Sequence, residues 1–524
     1  MRDRWRGIPR SVRAVTALFG ALLLAYSLLT PLGEAPDEAA HADLVLHLAT
    51  GAPYPNYDER NLGKAVQFSS STYRPVPGTR VLTPEDAPDR VERRDFEDFG
   101  GDVAGRTPNA ILQHPPLYYR ITSLAVRAER FLLPGTGLPP LDREWSMLRL
   151  ISVLMALPLP LIAWATARRI GAAEPVAIAA SLVPLAIPQL LHTGSTITND
   201  VLFNLCAAVL AFFLAGVLRG DRSLRTAVFV GLALGAALLT KAFGTVLVPW
   251  VAIAYVVGWR RHRTTRTAAV ALGAAGLTAF VVAGWWWLRN VIRYGKLSPT
   301  PTDNTLTTAL RPPGFEPSVG EWVGKFAPWI VERFWGWFGW FTARLDLPVI
   351  GLASVVALAG LVAALLPRRS EERTHPTPLE SAVLLLPLAG LLAFVAVRSF
   401  SRYRTTSAFV FIQGRYLLGA AIPIAVVVAA GLHRRSRRWA VPALAGLALV
   451  MEVDAVWVML RDWWAEPGAG LGRRLDAVLA WGPWPVGVPY LVALAVVATA
   501  AWTTFEIGAL SRAVHGEPRH EPDG

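Results

Sequence analysis

Apolar segments long enough to cross a membrane recur along almost the whole chain. A helix needs about 20 apolar residues to cross a bilayer core of about 30 Å. The pattern therefore predicts an all-α polytopic membrane protein, with about 12 transmembrane helices in a single domain over residues 1–524. The predicted spans are 13–32, 146–167, 175–193, 200–218, 226–240, 242–259, 268–288, 346–366, 380–398, 416–432, 439–459 and 486–508. The fifth and sixth form one long apolar stretch that is broken near Thr240 and Lys241, with a single tilted span as the alternative to two short ones.

Basic residues support this division, because they fall into every second link between the predicted spans. The formal net charge is +13, although only 17% of the residues are charged, against about 25% in soluble proteins. Cytoplasmic links of membrane proteins are enriched in Lys and Arg. This pattern predicts that the termini, including the tail 512–524, are cytoplasmic, and it requires no nucleic acid. The Ala-, Arg- and Gly-rich composition suggests a bacterium, and hence a bacterial plasma-membrane protein. The basic links contain Arg168 and Arg169; Arg219, Arg222 and Arg225; Arg260, Arg261, Arg263 and Arg266; Arg368, Arg369 and Arg373; and Arg434, Arg435, Arg437 and Arg438.

Two long segments, 33–145 and 289–345, are then extracytoplasmic. The first is acid-rich and too long to be a simple connector. Its stretches 36–50 and 116–132 are amphipathic, which predicts helices lying at the membrane interface. We therefore look for functional polar residues on this outer side.

Three ionisable residues, Asp37, Glu38 and His41, directly follow the first apolar run. Ionisable groups at such positions are costly and usually functional. Helical spacing would place Asp37 and His41 on the same face. A carboxylate beside an imidazole suits a general base or a divalent-cation ligand. The alternative is a helix N-terminus in which the acids only favour the dipole.

A second polar group interrupts the apolar pattern at the outer ends of later segments. Asp200 opens the fourth span, either as a functional acid or as part of an ordinary helix cap. His114 and Tyr118 flank a pair of prolines in the first outer segment. We interpret both as candidate substrate contacts, with a capping role as the alternative for the histidine.

Cationic and hydrogen-bonding residues also gather on the outer side, against the usual topological bias. Guanidinium groups bind phosphate through paired hydrogen bonds, so these residues are candidates for holding an anionic lipid headgroup. The alternative is that they snorkel towards ordinary lipid phosphates. The candidates are Lys241, Arg289, Asn290, Tyr294, Arg402, Gln413, Arg415 and Tyr416.

Four short motifs together resemble those of a known superfamily. They are Pro36-Asp37-Glu38 with His41, Pro115-Pro116-Leu117-Tyr118-Tyr119, Asn199-Asp200, and Gln413-Gly414-Arg415-Tyr416. With these motifs and this layout, the chain resembles the GT-C superfamily of integral-membrane glycosyltransferases. It is most similar to an uncharacterised bacterial family with a P-D-E-x-x-H loop, related to protein O-mannosyltransferases and lipid A aminoarabinose transferases.

This resemblance implies an inverting transfer of a hexosyl or pentosyl unit on the outer face. The donor would be a polyprenyl-phosphate sugar, and the acceptor a glycan, lipid or protein of the cell envelope. Asp37 would deprotonate the acceptor, with Glu38 and His41 beside it and Asp200 as a second acid. Lys241, Arg289 and Arg415 would hold the lipid phosphate.

The resemblance leaves the cofactor open, because members of the superfamily differ in their need for a metal. Asp37 and Asp200 would be the ligands of a Mg²⁺ or Mn²⁺ ion. The only cysteine, Cys206, excludes an intrachain disulfide and a cysteine-based metal site.

The main alternative function is a polytopic transporter or lipid flippase. Such a protein would carry charges within its spans and broken helices in two related halves. Here few charges lie in the middle of a span, with Glu452 and Asp454 as the exceptions, and no related halves are visible. A non-catalytic scaffold for envelope assembly is a third interpretation.

Overall fold

The computed structural model describes residues 7–57, 59–76, 80–90, 92–132, 139–263, 265–299, 311–367 and 374–516. The basic-link residues Arg368, Arg369 and Arg373, residues 300–310 of the second outer segment and residues 517–524 of the tail lie outside these ranges. Helices dominate the described chain, as the apolar pattern predicted.

The first half of the helices runs from the first span to the fifth. They are α1 (Arg10–Leu29), α2 (Glu38–Ala49), α3 (Lys64–Tyr73), α4 (Leu117–Leu132), α5 (Leu141–Ala156), α6 (Leu159–Arg169), α7 (Glu174–Leu182), α8 (Pro188–Gly194), α9 (Asp200–Leu218) and α10 (Leu224–Leu238).

The second half completes the bundle. These helices are α11 (Leu247–His262), α12 (Thr265–Tyr294), α13 (Val319–Trp335), α14 (Leu347–Leu365), α15 (Pro378–Leu384), α16 (Leu386–Thr406), α17 (Ala421–Arg435), α18 (Ala440–Trp463), α19 (Leu471–Trp481) and α20 (Gly487–Gly516). Short 3-10 turns lie at Glu97–Phe99, Val183–Ala186, Ala242–Val246 and Gly414–Ala420.

The expected number of about 12 spans is not confirmed. Among the described residues, 9 helical segments are long and apolar enough to cross a membrane, or up to 11 if each of two bent pairs is one span. One bend, of 69°, lies before Pro188, where the preceding residue Ile187 leaves helical geometry, as residues before proline tend to do. The predicted span 226–240 is the short helix α10, with 15 residues.

Two segments form the centre of the bundle. In the most apolar 18 residues of each segment, the buried share is 89% for the span Gly414–Arg435 and 78% for α9, but only 6% for the last span, Gly487–Arg512. The two central segments begin at their outer ends with Asp200 and with the turn that contains Arg415. The most buried parts of the bundle therefore lead directly to predicted site residues.

The first outer segment contains little sheet. Strand β1 (Asn61–Gly63) pairs antiparallel with β2 (Ala104–Pro108), in the register Asn61 with Pro108 and Gly63 with Ala104. The predicted interfacial helices at 36–50 and 116–132 correspond to α2 and α4.

Buried ion pairs hold this outer segment against α2. The guanidinium of Arg60 donates to Asp43 at 2.9 and 2.8 Å and to Asp102 at 2.7 Å. The Asn109 amide reaches the same Asp43 carboxylate at 2.8 Å. In the second outer segment, β3 (Trp337–Phe338) and β4 (Ala343–Arg344) form a small hairpin.

Candidate active site

Asp37 caps α2 with an unusual backbone conformation. Its φ is 64° and its ψ is 4°, in the left-handed region, which residues other than glycine rarely adopt. Such geometry costs of order 1–3 kcal/mol and clusters at functional sites. Arg415 holds the turn, because its guanidinium donates to the Pro36 carbonyl at 2.9 Å and to Asp37 Oδ2 at 2.6 Å. Asp37 therefore precedes the first helical turn instead of lying within it.

Asp200 lies between two cations at the start of α9. Lys241 donates a short hydrogen bond to Asp200 Oδ1, and Arg415 Nε lies 3.8 Å from Asp200 Oδ2. These three side chains are 2–6% exposed, whereas that of Asp37 is 34% exposed. The structure therefore brings four predicted site residues together, with two formal negative and two formal positive charges. We call Asp37, Asp200, Lys241 and Arg415 the acid–cation cluster.

Aromatic rings support the cations of this cluster. The Lys241 ammonium lies 4.8 Å from the Phe243 ring centroid and 4.7 Å from that of Tyr416. The Arg415 guanidinium lies 5.4 Å from the Tyr416 ring. Cation–π contacts of this kind gain strength when they are desolvated. Burial lowers the pKa of Lys241, while the Asp200 carboxylate opposes that shift.

A close backbone contact explains the glycine of the Gln413-Gly414-Arg415-Tyr416 motif. A Cβ at Gly414 would lie 2.1 Å from the peptide between Arg333 and Phe334 of α13. The Arg333 guanidinium also donates a short hydrogen bond to the Ile412 carbonyl. Helix α13 therefore fixes the segment that presents Arg415, and Gln413 lies just before the turn Gly414–Ala420.

Glu38 has a different environment from its neighbour Asp37. Its carboxylate is fully buried and forms two 2.7 Å hydrogen bonds with Arg149. It also accepts the backbone N–H groups of Gly33 at 3.0 Å and Ile197 at 3.1 Å. Four donors thus occupy its two oxygens, about as many as a carboxylate accepts. The catalytic role predicted for Glu38 stays a prediction, but its carboxylate has no vacant position for a substrate proton.

His41 is buried in an aromatic environment one turn after Asp37. Its Nδ1 lies 2.9 Å from the hydroxyl of Tyr119. Burial, followed by the charge of Arg415, lowers the pKa of His41 from 6.5 to about 3. The imidazole is therefore neutral near pH 7. The contact between His41 and Asp37 is a backbone hydrogen bond, in which the His41 N–H donates to the Asp37 carbonyl at 3.0 Å.

The other two predicted contacts of the first outer segment surround this imidazole. His114 stacks on His41, with 6.3 Å between the ring centroids, and Tyr118 lies edge-on to it at 6.4 Å. The Tyr118 hydroxyl reaches Ser152 at 3.4 Å. In the described part of the chain, His114 Nδ1 is buried without a hydrogen-bond partner, and burial lowers the pKa of His114 well below its ordinary value.

Arg289 and its neighbours form a separate group. The Arg289 guanidinium donates to Asn56 Oδ1 at 3.0 Å, and the Tyr294 hydroxyl contacts the same oxygen at 3.4 Å. Asn290 donates to the Leu297 carbonyl at 3.0 Å. The structure does not bring these three predicted residues into the acid–cation cluster. Arg402, another predicted contact, lies near the end of α16.

The described residues do not provide an evident metal site. Among them, no group of three or more His, Cys, Asp or Glu side chains could hold a metal ion. The two proposed ligands, Asp37 and Asp200, point their oxygens at Arg415 and Lys241 instead. These acids therefore fit a cation pair better than a divalent ion.

Arg149 is the important site neighbour that the sequence reasoning missed. Its guanidinium donates to three main-chain carbonyls, of Ser27, Thr30 and Pro31, besides pairing with Glu38. The signal was available, because Arg149 lies inside the predicted span 146–167, where a charge is costly unless it is paired. Tyr54, whose ring packs on Tyr119 and whose hydroxyl donates to the His114 carbonyl at 2.8 Å, was also not singled out.

The fold and site define a polytopic α-helical membrane protein with a buried acid–cation cluster at the ends of its central helices. Residues 19–428 match the DUF2142 family, described as a predicted membrane protein family, and the chain belongs to it. No curated protein matches the sequence.

Several solved structures are similar to this chain at low identity. ArnT from Cupriavidus metallidurans bound to undecaprenyl phosphate is 16% identical, with a TM-score of 0.46 over 95% of this chain and 76% of that one. The Archaeoglobus fulgidus oligosaccharyltransferase in its apo form is 13% identical, with a TM-score of 0.38 over 97% and 58%. The archaeal AglB complex with an inhibitory peptide and a dolichol-phosphate has a TM-score of 0.32, at 13% identity and the same coverage. All three TM-scores lie below 0.5, so these structures do not assign a function to this chain.

Proposed function

We propose that this protein is an inverting glycosyltransferase that uses a polyprenyl-phosphate sugar on the outer face of the plasma membrane. The acid–cation cluster is the observation that carries the proposal. It combines one accessible carboxylate with two buried cations, and these are the groups needed to activate a hydroxyl and to stabilise a departing phosphate.

An apolar groove beside the cluster supports a lipid-linked donor. It lies between α11 and α16, has a volume of about 570 Å³, and is lined by Val246, Pro249, Trp250, Ala389, Ala393 and Phe394. The Phe394 ring packs 4.9 Å from Phe243, whose ring also contacts the Lys241 ammonium. We call this the α11–α16 groove. A polyprenyl chain in it would bring its phosphate to Lys241 and Arg415.

The charges of the cluster suggest how Asp37 and Arg415 act in sequence. At rest the two acids and two cations sum to zero. The acceptor oxygen attacks the anomeric carbon as its proton passes to Asp37, and the bond from that carbon to the phosphate oxygen breaks. The cluster then has a net charge of +1 while the phosphate gains one negative charge. Neutral Asp37 releases Arg415 to the leaving phosphate, and Asp200 keeps Lys241 in place.

The experiment that tests this function is a transfer assay with purified protein in proteoliposomes. Radiolabelled undecaprenyl-phosphate glucose, mannose and arabinose are supplied separately with an envelope extract of the host cell. We expect label to move from one donor to another molecule with inversion at the anomeric carbon. Movement of the intact donor across the bilayer without sugar transfer would identify a flippase and overturn the proposal.

A further inference from the structure

We infer that the acceptor is also an anionic lipid, held in a second apolar groove with its headgroup phosphate at Arg289. This inference rests on the proposed glycosyltransferase function and adds the class of the acceptor. It follows from the positions of three candidate cations: Lys241 and Arg415 lie beside the α11–α16 groove, whereas Arg289 lies beside a second apolar groove.

The second groove lies between α10, α12 and the beginning of α11. Its volume is about 440 Å³, and its lining includes Leu238, Val248, Gly276, Ala283, Trp287 and Leu288. We call it the α10–α12 groove. It faces the bilayer, because only 33% of the most apolar part of α12 is buried within the protein. The groove is therefore open to an acyl or prenyl chain from the membrane.

A cation without an acidic partner lies at the outer end of this groove. Arg289 directly follows Leu288, and its hydrogen bonds go to the neutral amide oxygens of Asn56 and Asn290, at 3.0 and 3.3 Å. Glu59 is the nearest acid in the hydrogen-bond network around Arg289 and Asn56, and it pairs with Arg293 at 3.8 Å. In the described part of the chain, no carboxylate pairs with Arg289, so its charge remains available to a phosphate.

The cations of the α11–α16 groove differ in this respect. Lys241 and Arg415 are paired with Asp200 and Asp37, so their availability depends on the reaction. The charge of Arg289, in contrast, is available to a phosphate throughout the reaction. A static cation suits a headgroup that must be anchored throughout turnover, whereas a cation released by proton transfer suits a leaving group.

Aromatic residues connect Arg289 with the reaction centre. The Arg289 guanidinium lies 4.9 Å from the Trp286 ring, and Tyr54 packs 5.5 Å from Trp286 and 6.3 Å from Tyr119. The Tyr119 hydroxyl then contacts His41. A headgroup anchored at Arg289 would extend along Tyr54 and approach Asp37 from a different side than the donor.

Ordinary membrane lipid would also enter an apolar groove, but it would not make transfer depend on Arg289. The proteoliposome assay therefore includes fractionation of the labelled product. We expect the label in a phosphate-containing lipid, extractable into chloroform and methanol and distinct from the donor. Label in protein or in a water-soluble glycan would overturn the lipid acceptor while leaving the glycosyltransferase in place. No transfer to any fraction would count against the proposed function itself.

A groove-filling substitution gives a second test. A Cβ added at Gly276 meets no atom within 4 Å, so Gly276→Phe fills the α10–α12 groove without a clash at its first side-chain atom. Gly351 in α14 is exposed and equally free of neighbours, and Gly351→Phe is the matched control away from both grooves. We expect Gly276→Phe to raise the KM for the lipid acceptor about tenfold, with donor binding unchanged. Equal activity of the two variants would overturn the assignment of the groove.

Substitution of the anchor gives a third, independent measurement. Arg289→Gln should raise the acceptor KM about tenfold to a hundredfold, as expected for a lost charge-assisted hydrogen bond, with kcat nearly unchanged. Arg289→Lys should restore part of the loss. Photo-crosslinks from diazirine-labelled undecaprenyl phosphate, the carrier lipid of the donor, should map to the α11–α16 groove in all variants. Crosslinks in the α10–α12 groove instead would assign Arg289 to the donor and overturn the inference.

Discussion

Asp37 and Glu38 are adjacent acids that both pair with arginine, and yet their environments are opposite. Glu38 is fully buried and accepts four hydrogen bonds, two of them from Arg149. Asp37 has a 34% exposed side chain and forms its ion pair with Arg415 through one oxygen. A carboxylate with vacant lone pairs and access to solvent can take a proton from a substrate. One whose lone pairs are all used can only hold the structure.

The two arginines extend this contrast. Arg149 joins Glu38 to the carbonyls at the end of α1, and so fixes the turn between α1 and α2. Arg415 joins Asp37 to Asp200 and comes from a distant segment. Removing one partner of a buried pair costs about 3–5 kcal/mol. We therefore expect the Glu38 pair to matter for stability and the Asp37 pair for turnover.

The largest expected effect is the loss of transfer in Asp37→Asn. Asparagine tolerates the left-handed backbone of this position but cannot accept the proton, so transfer should fall by about 10³-fold. The thermal unfolding midpoint should stay within a few degrees of the wild type. Transfer near the wild-type rate would remove Asp37 from the mechanism.

Glu38→Gln should instead destabilise the protein by about 3–5 kcal/mol, because it leaves Arg149 as an unpaired buried charge. Unfolding in detergent measures this loss. Glu332→Gln is the matched control, since the Glu332 pair with Arg344 is partly exposed and should contribute at most about 1 kcal/mol. A stable but inactive Glu38→Gln protein would reverse the roles assigned to the two acids.

Replacing Arg415 should have an intermediate effect on turnover. Arg415→Gln should lower kcat about a hundredfold and change the donor KM less, because the guanidinium acts mainly on the leaving phosphate. Arg415→Lys should recover part of kcat, since it keeps the charge but loses the second hydrogen bond. Steady-state kinetics separate the effect on kcat from the effect on the donor KM. An effect confined to KM would contradict the release of Arg415 during the reaction.

The smallest effect concerns pH and the neutral His41. Its folded pKa of about 3 lies below the ordinary value of 6.5, so the unfolded chain binds more protons below pH 6.5. The contribution of His41 to the free energy of unfolding is therefore fully present above pH 6.5. It declines as the pH falls towards 3, and the loss is about 1.4 kcal/mol at pH 5.5. His114 adds a loss of the same sign.

Unfolding of the wild type and of His41→Gln at pH 7.5 and 5.5 measures this contribution. The variant should lose less stability on acidification than the wild type. Equal losses would mean that His41 is protonated in the folded protein.

The helices were largely predictable, since a span leaves a long apolar run in the sequence. The errors arose where length and bending matter. Helix α10 is too short to count as a span of its own, and Pro188 breaks the run 175–193 into two helices at a sharp angle. The break near Thr240 and Lys241 left the number of spans over 226–259 open already in the sequence, whereas the bend at Pro188 is visible only in the structure.

The sequence predicts that the site residues share one side of the membrane, but it does not predict their grouping. The alternation of spans places Asp37, Asp200, Lys241, Arg289 and Arg415 on the same face, but it says nothing about distances across that face. Only packing reveals that Lys241 and Arg415 join the acids while Arg289 lies with Asn56. Likewise, the difference between Asp37 and its neighbour Glu38 depends on hydrogen-bond donors distant in sequence.

The contact at Gly414 links the reaction centre mechanically to the second outer segment. The α13 backbone occupies the space that a side chain at Gly414 would need, so the two segments cannot slide past each other. A displacement of α13 would therefore be transmitted through Gly414 to the turn that carries Arg415. A ligand that docks on the second outer segment would thereby act on the position of the Arg415 guanidinium without touching it.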